Sequence, residues 1–268
     1  MRAASLDVYD LPALEASLAG IVFAGKLHFS PATDSTNSDA LQAARSAAPH
    51  GSVYFADEQR AGRGRGDHAW HSAAGEGLYV SLLLRPPISA LRLPLLPLAA
   101  GLAAAGAIRA VADLTIDLRW PNDLLLGPRK AGGILVESKI SGGEVDFAVV
   151  GIGINVHQEG FDSDLATPAT SLDLEAERRV SRQHLLVALL KSLEREALGL
   201  ADSAAGVTIP ARVEQASSWI RNRQVEVHGP QACTGVTAGL DEHGFLLVRT
   251  AHGLVTVQTG GIRAAEIS

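Results

Sequence analysis

A short loop of alternating glycine and arginine is the first segment whose residue types could do chemistry. It runs from Gln59 to Gly66 as QRAGRGRG, which is too rich in glycine for a regular helix or strand. Glycine lets the backbone approach a ligand closely, and guanidinium groups pair with anionic oxygens. The segment is therefore either a site for an anionic ligand or a solvated surface loop, and its residues alone favour neither.

Two further segments combine small residues with polar side chains. The sequence RWPND at 119–123 breaks a strand with a proline beside a polar pair, and Lys130 opens the next strand next to two glycines that leave its ammonium group room. A single lysine after a turn is more often only solvated. The sequence GIGINV at 151–156 again places small residues in a strand, where a ligand can lie near the backbone.

Regular elements must position these segments, and the hydrophobic pattern predicts where they lie. Ser35, Thr36 and Asn37 precede DALQAARSAA, so a polar cap opens a helix there. Leucines recur on one face between Ser181 and Leu200, which is typical of an amphipathic helix. The other predicted helices are 11–18, 91–112 and 212–219. The predicted strands are 21–29, 52–56, 78–84, 115–120, 123–126, 131–138 and 145–156.

The sequence pattern changes after about residue 221. Four short β-rich runs at 225–228, 233–240, 245–250 and 254–258 follow one another with turn residues between them. Such spacing indicates a small β-barrel or β-sandwich. We therefore expect a first domain over residues 1–220 and a second over residues 221–268.

Composition excludes several classes of protein. The chain of 268 residues has a net charge of -6, whereas a protein that binds nucleic acid through its phosphates is usually basic. The single cysteine, Cys233, can form neither an intrachain disulfide nor a cysteine zinc site. The most apolar stretch, 91–111, contains Arg92, Arg109 and two prolines, which argues against a membrane span. The N-terminus lacks the apolar core of a signal peptide, so we expect a cytoplasmic protein without nucleic-acid or membrane partners.

The order and spacing of these motifs resemble those of the biotin protein ligase family. The resemblance rests on Ser-Thr-Asn at 35–37, Gln-x-x-Gly-Arg-Gly-Arg at 59–65 with Trp70, Trp-Pro-Asn-Asp at 120–123, Lys-x-Gly-Gly-Ile-Leu-Val-Glu at 130–137 and Gly-Ile-Gly-Ile-Asn-Val at 151–156. It is dense over residues 28–160 and continues weakly to GIRAAE at 261–266. It implies an α+β fold, with a mixed-sheet catalytic domain of the biotin/lipoate ligase type and a small C-terminal SH3-like β-barrel.

The resemblance also implies a two-step reaction. Biotin and ATP, with Mg²⁺, would give biotinyl-5′-adenylate and pyrophosphate. The biotinyl group would then pass to a lysine of the biotin carboxyl carrier protein of acetyl-CoA carboxylase or a related carboxylase. The enzyme would act as a monomer or a homodimer.

Site residues are carried over by position in the matched motifs. Lys130 would bridge the biotin carboxylate and the α-phosphate, and Arg65 would close over the adenylate as the loop orders. Asp123 would either act as a carboxylate for the incoming lysine or take part in ordering magnesium. No residue is expected to be a direct metal ligand. The expected biotin-binding residues are Ser35, Thr36, Asn37, Gln59, Arg63, Gly64, Arg65 and Lys130. The expected ATP-binding residues are Arg65, Trp70, Asn122, Lys130, Asn155 and Arg263.

One departure from the family pattern lies in the loop. Family loops commonly continue with a further glycine and arginine, where this chain has Asp67 and His68. The change removes positive charge beside the expected phosphates and leaves the closed shape of the loop open.

Other functions remain as alternatives. A lipoate or octanoate ligase shares the broader fold, but the Gly-Arg-Gly-Arg loop and the terminal barrel favour biotin. A biotin-sensing repressor would need an N-terminal winged helix, and only about 25 residues precede the matched region, whereas a typical domain has at least about 50. A biotin carrier would carry a Met-Lys-Met tip, and the only methionine is Met1. A non-catalytic relative that binds biotinyl-adenylate is disfavoured because Lys130 and Arg65 are both present.

Overall fold

A seven-stranded mixed sheet forms the larger part of the molecule. The computed structural model describes residues 8–66 and 68–265, apart from the side chains of residues 197 and 198. The strands are β1 (Leu27–Thr33), β2 (Ser52–Gln59), β3 (Gly77–Leu84), β4 (Asp117–Arg119), β5 (Asp123–Leu126), β6 (Arg129–Ser141) and β7 (Glu144–Asn155). Their order in the sheet is β1-β2-β3-β7-β6-β5-β4. Only β1 and β2 run parallel, and the other neighbours are antiparallel.

Helices cover the two faces of this sheet unequally. They are α1 (Leu11–Ser17), α2 (Thr36–Arg45), α3 (Leu95–Ala112), α4 (Leu172–Ala176), α5 (Arg182–Leu200) and α6 (Ala205–Gln215). Helix α2 packs on a small cluster that includes Leu83 and Val149, whereas α3 and α5 pack on the large core that includes Leu82 and Val150. Because neighbouring residues of a strand point to opposite faces, α2 lies alone on one face of the sheet, and the rest of that face is open for a site.

Helix α3 contains most of the apolar stretch on which the sequence argument about a membrane span rests. The helix begins at Leu95, so Arg92 lies outside it, and by length and composition alone it could cross a membrane. Most of its residues are buried inside the protein, and it packs chiefly on α5. Its apolar character is therefore that of a core helix, as its alanine- and leucine-rich sequence predicts.

A second, antiparallel sheet forms the C-terminal part. Its strands are β8 (Arg221–His228), β9 (Cys233–Leu240), β10 (Leu246–Thr250), β11 (Gly253–Val257) and β12 (Gly261–Ala264), in the order β11-β10-β9-β8-β12. This arrangement confirms the expected fold class, a mixed-sheet domain followed by a separate small β unit. Trp120 donates to the carbonyl oxygen of Gly244 at 3.0 Å, and the two parts share one hydrophobic core. A domain boundary at residue 221 stays a prediction.

Two predicted elements differ most from the structure, and strand β12 and one helix lie where no element was predicted. The first strand begins at Leu27 rather than at residue 21, because Gly20 and Gly25 have positive φ values of 88° and 70° and turn the chain before it. Helix α6 starts before Pro210 instead of after it. Burial of Ile209 and Val213 offsets the backbone hydrogen bond that the proline lacks. Helix α4 was not predicted.

Candidate active site

A cleft on the α2 face of the large sheet collects the sequence motifs. They come from the start of α2, the end of β2, the glycine-arginine loop and the middle of strands β3, β6 and β7. This gathering depends on the strand order, since β3 pairs with β7 although β3 ends at Leu84 and β7 begins at Glu144. The lining residues are Ser35, Thr36, Asn37, Gln59, Arg63, Gly64, Arg65, Trp70, 79–81, Asn122, Lys130, 133–135 and 151–153.

Two glycines of β7 make room for the side chains that form the cleft. A Cβ atom at Gly151 would collide with the side-chain oxygen of Asn37. A Cβ atom at Gly153 would lie 2.5 Å from Nε1 of Trp70, far inside van der Waals contact. The small residues that the sequence placed in this strand therefore let α2 and the loop pack against the sheet.

A cluster of charges lies at one end of the cleft. The Lys130 ammonium group is 2.6 Å from Oδ1 of Asp123, and the Arg119 guanidinium group is 2.6 Å from Oδ2 of the same carboxylate. Burial raises the pKa of Asp123, but Lys130 and Arg119 outweigh this effect and hold the pKa below its ordinary value. Asp123 is therefore ionised, and with two cations and one anion the cluster keeps a net positive charge.

Hydrogen-bonding side chains line the other end. The Gln59 side-chain oxygen accepts from the backbone N–H of Thr36 at 2.9 Å, and the hydroxyl groups of Thr36 and Ser81 are 2.8 Å apart. Ser81 donates to Oδ1 of Asn37 at 2.9 Å. Ser35 is buried at the N-terminal end of α2, where its side chain makes no capping hydrogen bond. The predicted polar residues thus form one connected wall.

The glycine-arginine loop closes the cleft from above. It folds back on itself through hydrogen bonds from Gly64 N to His68 O at 2.7 Å and from Trp70 N to Gly62 O at 2.8 Å. Arg65 donates to Thr259 Oγ1 at 2.9 Å and to the carbonyl oxygen of Gly260, so the loop contacts the C-terminal sheet. Burial lowers the pKa of Arg65, and Asp123 opposes that shift. Asp67 lies outside the described residues, and His68 is exposed.

Three expected site residues lie outside the lining of the cleft. Asp123 is behind Lys130, in a small apolar pocket beside α3. Asn155 turns its amide away and donates to the carbonyl oxygens of Thr170 and Lys130, at 3.0 and 3.5 Å. Arg263 is exposed on β12. In this structure Asn155 supports the Lys130 backbone, and a contact with ATP from Asn155 or Arg263 stays a prediction.

Sequence reasoning missed several residues of the site. Ser81 is a polar residue within the otherwise apolar strand GLYVSLLL, and this signal could have identified it. Arg119 adjoins the recognised Trp-Pro-Asn-Asp motif, and Glu137 ends the Lys-x-Gly-Gly-Ile-Leu-Val-Glu motif. Nothing in the sequence indicated that Glu137 would pair with Arg63 across the loop.

Comparison with known proteins assigns this chain to a family. Residues 29–155 match the model of the Biotin/lipoate A/B protein ligase family. The chain is 32% identical over 249 residues to the bifunctional ligase/repressor BirA of Bacillus spizizenii, covering 85% of this chain and 70% of that protein. The chain belongs to the biotin protein ligase family of enzymes.

Two other members extend the comparison. The biotin--[acetyl-CoA-carboxylase] ligase of Mycobacterium tuberculosis is 32% identical over 239 residues, covering 86% of this chain and 85% of that ligase. The biotin protein ligase of Aquifex aeolicus, solved in complex with biotin and ATP, superposes with a TM-score of 0.76 at 28% identity. That match covers 89% of this chain and 98% of the other. Both the large sheet and the C-terminal sheet therefore fall within the biotin protein ligase fold.

Proposed function

We propose that this biotin protein ligase activates biotin with ATP as biotinyl-5′-adenylate and transfers the biotinyl group to a lysine of a biotin carboxyl carrier protein. The observation that carries the proposal is the shape of one cleft, which joins a wall of neutral hydrogen-bonding groups to a net positive cluster at Lys130. Biotin has the same division, with a neutral ureido ring at one end and a carboxylate at the other. The protein would work in the cytoplasm, as a monomer or a homodimer.

In the first step a carboxylate oxygen of biotin attacks the α-phosphorus of ATP. A new C–O–P linkage forms, the bond to the β-phosphate bridging oxygen breaks, and pyrophosphate leaves with that electron pair. Two anions must approach each other, so a cation between them lowers the barrier. Lys130 can supply that charge, because Asp123, which is itself held by Arg119, fixes its ammonium group at the floor of the cleft. Holding the two reactants in line contributes roughly 7–11 kcal/mol in favourable cases.

In the second step the amine of the carrier lysine attacks the acyl carbon of the adenylate. The C–N bond of an amide forms, the C–O bond breaks, AMP leaves and the amine loses a proton. Asp123 is a poor base for that proton, because its pKa is held low by Lys130 and Arg119. Its role in this mechanism is to hold the Lys130 ammonium group in place.

Trp70 supports the placement of ATP. Its Nε1 is buried, and among the residues that the structure describes it has no hydrogen-bond acceptor. A buried donor without a partner is costly, so a ligand that supplies an acceptor is favoured there. The ring also lies 5.5 Å from the Lys130 ammonium group, so the nucleotide side of the cleft is next to the charge cluster.

Magnesium would enter with the triphosphate. The described residues contain no group of three or more metal-binding side chains, and the Asp123 carboxylate is already shared between two cations. The residues that the structure describes therefore form no dedicated Mg²⁺ site.

One assay tests the proposal. The purified protein is incubated with ATP, Mg²⁺, labelled biotin and a carrier domain, and label on the carrier lysine is the expected result. The same reaction with labelled lipoate should leave the carrier unlabelled. Transfer of lipoate but not biotin would establish the lipoate ligase alternative. Binding of biotin without pyrophosphate release would establish a non-catalytic relative.

A further inference from the structure

Glu137 lies behind the wall of the cleft and makes two strong contacts. It is on β6, two residues beyond Leu135, the last β6 residue that lines the cleft. One carboxylate oxygen accepts from the Asn37 side-chain nitrogen at 2.6 Å, and the other accepts from the Arg63 guanidinium group. The mechanism above gives this residue no role.

The carboxylate determines which way the Asn37 amide points. An ionised carboxylate only accepts hydrogen bonds, so Asn37 must turn its NH₂ group toward Glu137. Its oxygen then faces Ser81, and the Ser81 hydroxyl proton is used in the 2.9 Å bond to that oxygen. Asn37 cannot retreat from this arrangement, because β7 passes directly behind it at Gly151.

The hydrogen-bond direction that is set at Asn37 continues along the wall to Thr36. Ser81 has already donated its only proton, so it can only accept in the 2.8 Å contact between the two hydroxyl groups, and the Thr36 hydroxyl proton is shared between Ser81 Oγ and the Gln59 side-chain oxygen at 3.1 Å. The Thr36 oxygen then receives no hydrogen bond from within the wall and can accept from a ligand. If the Asn37 amide were reversed, Ser81 could donate to Thr36 and occupy one of its lone pairs.

The other end of the wall is fixed independently. Ser72 donates to the carbonyl oxygen of Trp70 at 3.2 Å, so it accepts from the Gln59 side-chain nitrogen at 2.8 Å. Gln59 must therefore turn its oxygen toward Thr36 and the cleft. The Thr36 hydroxyl oxygen and the Gln59 side-chain oxygen can therefore both act as acceptors in the cleft.

We propose that Glu137 is a positioning residue for biotin recognition. By orienting Asn37, it sets the direction of the hydrogen bonds that link Asn37, Ser81 and Thr36, so that the wall accepts from the ureido N–H groups. It also holds Arg63 over the same end of the cleft. The inference rests on the proposed function, since it takes biotin as the ligand.

The first variant is Glu137→Gln, which nearly preserves shape. A glutamine cannot accept from both neighbours, so it either opposes Arg63 with its NH₂ group or reverses the Asn37 amide. We expect the Kd for biotin, measured by calorimetry without ATP, to rise roughly tenfold to a hundredfold. The fall in kcat at saturating biotin should be smaller than this loss of affinity. Glu144→Gln makes the same chemical change at an exposed position of the adjacent strand and should bind biotin like the wild type.

A double variant that exchanges the amide and the carboxylate separates the effect of hydrogen-bond direction from the effect of packing. In Asn37→Asp with Glu137→Gln, the new glutamine donates to the new aspartate and accepts from Arg63, while the aspartate still accepts from Ser81. The double variant should therefore bind biotin more tightly than Asn37→Asp alone, in which two carboxylates face each other, and more tightly than Glu137→Gln alone.

The outcomes are distinct. Wild-type affinity in Glu137→Gln, or a double variant that binds no better than Asn37→Asp, would overturn the role of Glu137. If circular dichroism shows that Glu137→Gln does not fold, the comparison of Asn37→Asp with the double variant still decides. A wild-type protein that binds no biotin would refute the proposed function instead.

Discussion

The Lys130 ammonium group lies 2.6 Å from a carboxylate oxygen of Asp123, at the floor of the cleft. Arg119 occupies the other oxygen of the same carboxylate, so the aspartate is fully engaged. Because the backbone carbonyl group of Lys130 is also held by Thr170, at 3.0 Å, the lysine is fixed at both its main chain and its side chain. A cation fixed in this way is suited to stabilise charge that develops in a transition state.

Replacing Lys130 should stop adenylate formation without unfolding the protein. Lys130→Ala removes the charge that would stand between the biotin carboxylate and the α-phosphate, so pyrophosphate release should fall by roughly 10²–10³ or more. Far-UV circular dichroism would verify the fold. Lys139→Ala, on the same strand with an exposed side chain, is the matched control. Near-wild-type release from folded Lys130→Ala would refute the role.

Asp123 should make stability depend on pH. Its pKa in the folded protein lies below the ordinary value of 3.8, so its stabilising effect is present at neutral pH and is lost as the pH falls through the lower, folded value. Asp123→Asn should therefore lower the free energy of unfolding by about 3–5 kcal/mol at pH 7, because two cations lose their partner. The difference from the wild type should shrink below about pH 4. Urea unfolding at pH 7 and pH 3 measures it, and a difference independent of pH would contradict this origin.

Arg65 should retain the adenylate. Arg65→Gly removes a positive charge above the cleft and frees the loop from Thr259 and Gly260. We expect faster loss of labelled biotinyl-adenylate on gel filtration and more labelling of lysines on bystander proteins, since a closed loop excludes water and other nucleophiles. Arg60→Gly, at an exposed position of the same loop, serves as the control. Protease cleavage between residues 60 and 69 should also decrease when biotin and ATP are added. Equal retention by Arg65→Gly and the wild type would show that the loop is not a lid.

Gly153 should be required for ATP rather than for folding. In Gly153→Ala the new methyl group would lie 2.5 Å from Nε1 of Trp70, so the indole must move. We expect the KM for ATP to rise by roughly tenfold to a hundredfold, as small misplacements of binding groups cost that much. The free energy of unfolding should fall by about 1–3 kcal/mol. Gly160→Ala, with no atom near the added methyl group, should change neither quantity. An unchanged KM would remove Trp70 from the nucleotide site.

The local pattern of hydrophobic residues was sufficient to predict much of the fold. The leucine periodicity of α5 and the β-rich runs of β5 and β9 predicted those elements to within a residue, because their burial follows the helical or strand period. The pattern was insufficient at residues 21–26, where β-branched residues lie in turns before β1. Pro210 misled the prediction of α6, because tertiary packing outweighs the local cost of one missing hydrogen bond.

The sequence alone determined which segments line the cleft, since the order and spacing of the residues at 35–37, 59–65, 120–123, 130–137 and 151–156 together resemble one family, although no single segment indicates the chemistry by itself. Only the tertiary structure decided which side chains meet. Arg63 pairs with Glu137, Trp70 packs against Gly153, and Asn155 turns away from the cleft. These contacts depend on the pairing of β3, β6 and β7, in which a shift of one residue would move every side chain to the opposite face of the sheet.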